Sequence, residues 1–263
     1  MAARGWVVER GGVRLAGLDF GGAGPAALLL HGLAGHAGEW SETAAWLTGL
    51  RRVVAFDARG HGRSSRRPTD VSPGAHVDDA IFVVERLDLA PVVVIGQSLG
   101  GRTALLVAAR RPDLVVGLVV AEASPARDDD DSAAELRAAL ERWPVPFASR
   151  AAAVDFLGAE AWADGLEQRD DGWWPRFDVD VMELTLREAL AREHWREWEA
   201  IRCPTLVVRA GKGTLPAESA RSMVERLPSA SLAEIPGAVH DLHLDRPGEW
   251  RAVVSGFLAE QGA

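Results

Sequence analysis

The chain has 263 residues, of which 48% are hydrophobic, enough for one large α/β domain or for a core domain with an insert. Its formal net charge of −9 disfavours a nucleic acid or an anionic membrane as a partner, because both surfaces would repel it. The single cysteine, Cys203, excludes an internal disulfide framework and a cysteine-rich metal site.

Targeting and cofactor motifs are missing from the sequence. No apolar run reaches the ~18 residues that a membrane span requires, and no long apolar segment follows the basic residue near the start. The sequence also lacks a phosphate-binding glycine loop, a dinucleotide-binding glycine motif after a strand, and a histidine–cysteine cluster. We therefore expect a cytoplasmic protein without cofactor or metal, and its oligomeric state is left open.

In chain order, the elements predict a hairpin followed by alternating strands and helices. Strands at 6–9 and 13–19 flank a Gly-Gly turn signal. Six further strands are predicted from apolar or β-branched runs at 26–30, 53–56, 92–95, 115–120, 205–208 and 231–235. Helices are predicted at 39–50, 77–87, 102–110, 217–226 and 247–260. This order predicts an α/β fold with a mostly parallel, eight-stranded sheet flanked by helices.

The alternation fails only between Pro125 and about Ala200. This insert lacks strand patterns, predicts an amphipathic helix over 136–143, and carries an acidic run at 128–131 to which no ligand is assigned. It holds six of the ten tryptophans: Trp143, Trp162, Trp173, Trp174, Trp195 and Trp198. We expect residues 1–124 and 201–263 to form the core domain and residues 125–200 to form a helical cap.

The motif G-x-S-x-G at 96–100 lies between a predicted buried strand and a predicted helix. Such an abrupt turn strains its central residue and lifts the Ser98 hydroxyl off the sheet edge, where the first N–H groups of the helix also point. This pattern indicates a nucleophile elbow. The alternative is an ordinary tight turn, since glycine and serine are common in turns.

The chain resembles the α/β-hydrolase superfamily over nearly its whole length. The matching features are His31-Gly32, the turn at 57–64, the elbow at 96–100 and the late His240. Their order and spacing together carry the resemblance, which implies an α/β-hydrolase fold with a cap after the sixth strand. It also implies a catalytic serine, acid and histidine in that chain order.

The resemblance implies a histidine after the last strand as the base, and His240 stands there, although Val239 replaces the glycine that similar proteins carry. His243 is the alternative base; otherwise it lines the pocket or supports the site. The remaining histidines are expected to order the oxyanion loop (His31), to support a turn (His61) or to lie at the surface (His76, His194).

The acid is less clearly marked. Similar proteins place aspartate in a G-x-x-D pattern after the seventh strand, but this chain has Thr214 near that position. Glu122 follows the sixth strand, where some haloalkane dehalogenases and zearalenone-type lactone hydrolases carry their acid, and Glu218 begins a later helix. Parallel strands open into one crevice, so either could reach His240. We favour Glu122 as the acid. The alternative role of Glu122 is to order a loop, and that of Glu218 is to place a favourable charge in the first turn of a helix.

The developing oxyanion needs two N–H donors. Leu99 follows the nucleophile and Leu33 follows His31-Gly32, so their backbone N–H groups are the candidates. Candidate substrate-binding residues are Gly32, His36, Trp40, Trp143 and Trp174. Ordinary core packing is the alternative for each tryptophan.

Together these features predict a serine hydrolase that cleaves a small-molecule ester or lactone with a bulky apolar portion through an acyl-enzyme. One alternative is carbon–carbon bond hydrolysis of a dienoic diketone. Another is a member of the fold that binds a ligand without turnover. Dehalogenases and epoxide hydrolases of this superfamily carry aspartate at the elbow, so Ser98 disfavours both activities.

Overall fold

The computed structural model describes residues 3–127 and 131–261, so three of the four aspartates in the acidic run, Asp128 to Asp130, lie outside the described residues. Eight strands form the main sheet: β1 (Arg4–Arg10), β2 (Val13–Gly21), β3 (Ala26–Leu30), β4 (Arg52–Phe56), β5 (Val92–Gln97), β6 (Val115–Ala121), β9 (Thr205–Ala210) and β10 (Ala230–Ile235). Two short strands, β7 (Glu167–Arg169) and β8 (Gly172–Trp174), pair separately.

The strand order is β1-β2-β4-β3-β5-β6-β9-β10, and every pair from β4 onward is parallel. The pairs β1–β2 and β2–β4 are antiparallel. This is the α/β fold that the sequence predicts, with its eight strands at the expected positions.

The helices connect and flank these strands. Their bounds are α1 (Ser41–Leu47), α2 (Pro73–Arg86), α3 (Leu99–Arg110), α4 (Ser132–Glu141), α5 (Arg150–Leu157), α6 (Glu160–Asp164), α7 (Val179–Leu190), α8 (Trp195–Glu199), α9 (Ala217–Arg226), α10 (Leu242–Asp245) and α11 (Pro247–Glu260). A short 3₁₀ turn, Ala37–Trp40, precedes α1.

The central strands of the sheet are buried on both faces. Leu28 and Leu30 pack into one core with α2, α3 and α9, whereas Ala27 and Leu29 pack into a second core with α1 and α11. Successive side chains of a strand point to opposite faces, so a strand covered on both sides must be apolar throughout. This requirement explains the continuous apolar runs in the sequence.

The register brings the functional loops to one edge of the sheet. Leu30 pairs with Gly96, Gln97 pairs with Ala121, and Ala121 pairs with Val208. The loops after β3, β5, β6 and β9 therefore leave the sheet side by side, as expected at the carboxyl edge of parallel strands.

The inserted segment differs from the expectation in two respects. It contains the antiparallel pair β7–β8 besides its helices, although its sequence shows no strand pattern. Its last helix, α8, packs into the first core: Trp198 is fully buried there, and its indole N–H donates to the Met223 carbonyl at 2.8 Å. By these contacts α8 lies with the core rather than with the rest of the insert.

His76 and His194 are buried, and the prediction that they lie at the surface is wrong. Burial lowers the pKa of His76 to about 3 and also lowers the pKa of His194. Their positions on α2 and just before α8 explain the burial, because both elements pack against α3 in the first core.

Candidate active site

Ser98 lies in a strained turn between β5 and α3. Its φ of 52° and ψ of −117° lie outside the regions that a non-glycine residue favours. The flanking glycines allow the close approach: a Cβ at Gly96 would overlap the Gly100 carbonyl, and a Cβ at Gly100 would overlap the Leu30 carbonyl. The Ser98 hydroxyl makes no hydrogen bond to another described residue, and its backbone N–H donates to the Ala121 carbonyl at 2.9 Å.

Glu122 immediately follows β6 and has a fully buried side chain. Its carboxylate accepts backbone N–H groups from Ala210 at 2.7 Å, Thr214 at 2.7 Å and Leu215 at 3.2 Å. A Cβ at Gly213 would overlap this carboxylate, so a larger residue there would displace the carboxylate or the loop. The loop after β9 thus forms a cradle of N–H donors around the carboxylate of the neighbouring strand.

His240 reaches the same carboxylate from the loop after β10. Its Nδ1 lies 3.2 Å from Glu122 Oε2 and 2.9 Å from Thr214 Oγ1, and its side chain is 35% exposed. An ionised carboxylate only accepts, so we infer that Nδ1 carries the hydrogen of the neutral ring. Nε2 is then the unprotonated nitrogen, which is what a general base requires.

The carboxylate of Glu122 is stabilised in its charged form. Burial alone would raise its pKa, but the hydrogen bonds with His240 and with the N–H groups of Ala210, Leu215 and Thr214 hold the pKa below its ordinary value of 4.5. At neutral pH a charged acceptor therefore lies behind the imidazole.

We expect this lowered pKa to make Glu122 a pH-dependent source of stability. A carboxyl whose pKa is lower in the folded state stabilises the protein above pH 4.5, and this contribution disappears as pH falls through the lowered value. The unfolding temperature of wild type should thus exceed that of Glu122→Gln most near neutral pH, and the difference should shrink at acid pH. A difference in unfolding temperature that stays constant with pH would contradict this account.

The two alternative residues lie elsewhere. Glu218 is exposed on α9 and makes no hydrogen bond or ion pair to another described residue. His243 is buried: its ring stacks on Trp40 at a centroid distance of 4.3 Å, and its Nε2 lies 3.4 Å from Glu39 Oε1. The structure therefore brings Glu122, and neither alternative, into the site with His240.

The loop after β3 lies directly against the nucleophile. A Cβ at Gly32 would come within 3.4 Å of the Ser98 Cβ. His31 holds this loop, because its Nδ1 lies 2.7 Å from the Gly32 carbonyl and its Nε2 accepts the Ala58 N–H at 2.9 Å. The backbone N–H of Leu33 makes no hydrogen bond to another described residue, so it can serve as a donor.

Leu99 offers the second candidate donor. It is the first residue of α3, and the first N–H groups of a helix have no intrahelical partner. Their partial positive charge is directed toward the nucleophile turn. Both predicted oxyanion donors therefore lack a hydrogen-bond partner among the described residues, one in the loop after β3 and the other at the start of α3.

Two of the five candidate substrate-binding residues are engaged away from Ser98. Trp40 is fully buried. It lies in the second core between His243 and Trp250, so the prediction that it faces a pocket is wrong. Trp174 lies on β8, where its indole N–H donates to Asp171 at 2.8 Å and the Arg169 guanidinium lies 5.1 Å from its ring.

Two of the other three, His36 and Trp143, connect the loop after β3 with the insert. His36 lies 2.7 Å from the Ala161 carbonyl through its Nε2 and accepts the Gly38 N–H through its Nδ1, so both ring nitrogens are used. Trp143 packs edge-on against Trp162 and Phe177 in a cluster that also contains Leu33 and Ala34 of this loop. Gly32 is the candidate nearest the nucleophile turn, since a Cβ added there would lie 3.4 Å from the Ser98 Cβ.

Sequence reasoning missed three residues of the site. Gln97 is buried beside Ser98 and donates to the loop of His240, and Asp241 is one acceptor in that contact. Thr214 contacts the imidazole directly. Its position near the usual G-x-x-D aspartate was the available signal, whereas nothing in the sequence singles out the other two.

Within the described residues, no helix has the length and apolarity to cross a bilayer. Over the same residues, no group of three or more histidine, cysteine, aspartate or glutamate side chains is arranged to hold a metal ion. Glu122 and His240 are thus engaged with each other and with Thr214 rather than in a larger ligand cluster.

Known proteins share both the sequence pattern and this architecture. The model of the alpha/beta hydrolase family matches residues 27–253. The sn-1-specific diacylglycerol lipase ABHD11 of Mus musculus is 32% identical over 255 residues, covering 89% of this chain and 81% of its own length. The putative carbamate hydrolase RutD of Caulobacter sp. (strain K31) is 30% identical over 244 residues, covering 90% of this chain and 91% of its own length.

A solved structure shows the same fold. The crystal structure of E-2-(acetamidomethylene)succinate hydrolase aligns with a TM-score of 0.90 over 98% of this chain and 100% of that chain, at 22% identity. At this level of identity the likeness concerns the fold alone.

Proposed function

Because the chain belongs to the alpha/beta hydrolase family, we propose that it is a serine hydrolase that cleaves carboxylic esters through Ser98, His240 and Glu122. The observation that carries the proposal is the contact of 3.2 Å between His240 Nδ1 and the buried Glu122 carboxylate. This contact lies at the sheet edge where Ser98 leaves β5. A serine hydroxyl is a weak nucleophile, and an adjacent base held by a third group activates it.

The reaction follows from these positions. His240 Nε2 takes the Ser98 proton as Oγ bonds to the ester carbonyl carbon, and the carbonyl oxygen becomes an oxyanion. The N–H groups of Leu33 and Leu99 stabilise that charge. When the carbon–oxygen bond to the alcohol breaks, the imidazolium gives its proton to the departing oxygen. Water then attacks the acyl-enzyme, with His240 again accepting the proton and returning it to Ser98.

Glu122 orients the imidazole and stabilises the imidazolium. It stays ionised throughout, because the three backbone N–H donors hold its charge. Thr214 adds a neutral acceptor 2.9 Å from the same ring nitrogen, so two groups fix the ring plane. The negatively charged partner of the imidazole, Glu122, thus comes from the end of β6, and its neutral partner, the Thr214 hydroxyl, comes from the loop after β9.

The contacts of the insert support the proposal that the substrate has an apolar portion. Its aromatic cluster packs directly against Leu33 and Ala34 of the proposed oxyanion loop. We propose that the insert, apart from α8, acts as a cap and that this cluster borders the acyl or alkyl part of the ester. A lactone is the second candidate substrate, because the placement of Glu122 after the sixth strand of the core resembles that of zearalenone-type lactone hydrolases.

A panel of substrates tests the proposal. p-Nitrophenyl butyrate and octanoate, an aryl lactone and a dienoic diketone are offered side by side to the purified protein. We expect turnover of the esters, with the longer acyl chain preferred, or of the lactone. Cleavage of the diketone alone would contradict the proposal, and saturable binding of these compounds without turnover would identify a non-catalytic member of the fold.

A further inference from the structure

Gln97 is a buried glutamine, 1% exposed, at the carboxyl end of β5 and directly before Ser98. Its side-chain Nε2 donates to the backbone carbonyl of His240 at 3.1 Å and to Asp241 Oδ1 at 3.3 Å. Its Oε1 lies against Gly32, where a Cβ would overlap it. One amide thus contacts the base loop and the oxyanion loop from the residue next to the nucleophile.

We propose that Gln97 is a positioning residue that fixes the loop of His240 relative to Ser98 and Gly32. The inference rests on the proposed serine hydrolase function and names a further residue of the same site. A glutamine amide suits this place because its nitrogen offers two N–H donors, and the two groups facing it, a carbonyl and a carboxylate, both accept. In a buried environment each acceptor would otherwise lose its partner, which is costly.

Among the described residues, the loop of His240 makes few other hydrogen bonds to the nucleophile elbow. His240 itself contacts Glu122 and Thr214 through Nδ1, and these contacts orient the ring rather than the backbone. On the other side, His243 pairs with Glu39, next to the loop after β3. Among the described residues, the hydrogen bond from Gln97 joins the backbone of the base directly to the residue before the nucleophile.

The same network reaches the insert. The Trp162 side chain, on α6, lies close enough to the Asp241 carboxyl to favour its charged form, and the same carboxyl accepts from Gln97. Burial and the nearby charge of Glu39 raise the pKa of Asp241, in agreement with a carboxyl enclosed between these groups. The Asp241 side chain therefore lies between Gln97 and the insert.

Two variants test the role of Gln97. Gln97→Glu keeps the shape but replaces both donors with an oxygen that faces two acceptors, and Gln97→Leu keeps the approximate volume without polar atoms. Because small displacements of reacting groups cost up to about 10²-fold, we expect both variants to lower kcat for an aryl ester roughly 10- to 100-fold with little change in KM. If Gln97 only filled space, the isosteric Gln97→Glu would retain wild-type kcat.

The matched control is Gln168→Leu, on the exposed strand β7, which should leave kcat unchanged. A second readout is the NMR resonance of the His240 Nδ1 hydrogen, which needs no turnover. We expect this resonance to shift or broaden in both Gln97 variants and to stay unchanged in Gln168→Leu. Wild-type kcat within threefold together with an unchanged resonance in the folded Gln97 variants would overturn the proposal.

The two readouts separate this inference from the function on which it rests. If wild type hydrolyses no ester while the Gln97 variants still shift the Nδ1 resonance, the serine hydrolase proposal fails and the positioning contact stands. If wild type hydrolyses esters and the Gln97 variants match it by both readouts, the positioning role fails and the hydrolase stands.

Discussion

Replacing Ser98 with alanine is expected to lower kcat/KM for an aryl ester by on the order of 10⁴- to 10⁶-fold. The substitution removes the only atom that can form the acyl bond in the proposed mechanism. It should leave the fold intact, because the Ser98 hydroxyl makes no hydrogen bond to another described residue. Initial rates with p-nitrophenyl butyrate, together with the unfolding temperature, measure both effects.

Ser255→Ala on α11 is the matched control, since among the described residues that hydroxyl bonds only a helix carbonyl, that of Ala252, at 3.3 Å. Its activity should equal that of wild type. A Ser98→Ala protein that keeps its fold and retains activity within tenfold of wild type would show that another group performs the attack.

Replacing Glu122 with glutamine should lower kcat about 10³- to 10⁴-fold. The glutamine amide can still occupy the cradle of N–H donors, but it turns an N–H donor toward His240 or leaves the imidazolium without a neighbouring negative charge. Glutamine is preferred to alanine because alanine would leave the buried N–H groups of Ala210, Thr214 and Leu215 unpaired.

Glu218→Gln is the control for this experiment and should change kcat less than twofold, because Glu218 is exposed and lies outside the site. Equal, small losses in the two variants would remove Glu122 from the mechanism. The position of Thr214 allows a stricter test: since its Oγ1 lies 2.9 Å from His240 Nδ1, Thr214→Asp should restore part of the activity of Glu122→Gln. It should give no such gain in a Ser98→Ala background.

The main sheet could be predicted because strands that are buried on both faces produce recognisable apolar runs in the sequence. The runs at 92–95 and 115–120 are apolar at every position, which a strand covered on both sides requires. The turn that carries Ser98 could be predicted because a close strand-to-helix turn admits only small neighbours, and the overlap of a Cβ at Gly96 or Gly100 with backbone carbonyls explains those glycines.

Other parts of the site could not be predicted, because they depend on which distant residue faces a side chain. The local sequence around a tryptophan after the oxyanion loop is the same whether the side chain lines a pocket or, like Trp40, packs in the second core. His243 is three residues from His240, and only the pairing with Glu39 shows that it faces inward. The strands β7 and β8 have three residues each, too few for a periodic pattern.

Backbone strain is concentrated where the proposed chemistry takes place. Among the described residues, four non-glycine residues have positive φ, and three of them are Ala34 in the oxyanion loop, Ser98 in the elbow and Glu122 after β6. Such conformations cost free energy and persist only where surrounding contacts determine them. For Glu122 these contacts are the donors of the loop after β9, so the proposed acid and its cradle form one unit.

The central claim is that Ser98 is a nucleophile activated by His240. Its most direct test is covalent labelling with a fluorophosphonate followed by peptide mass mapping. The account predicts one adduct per chain, on the Ser98 hydroxyl, formed much more slowly in His240→Gln and not formed in Ser98→Ala. An adduct on another residue, or ester hydrolysis by a protein whose Ser98 is never labelled, would contradict it.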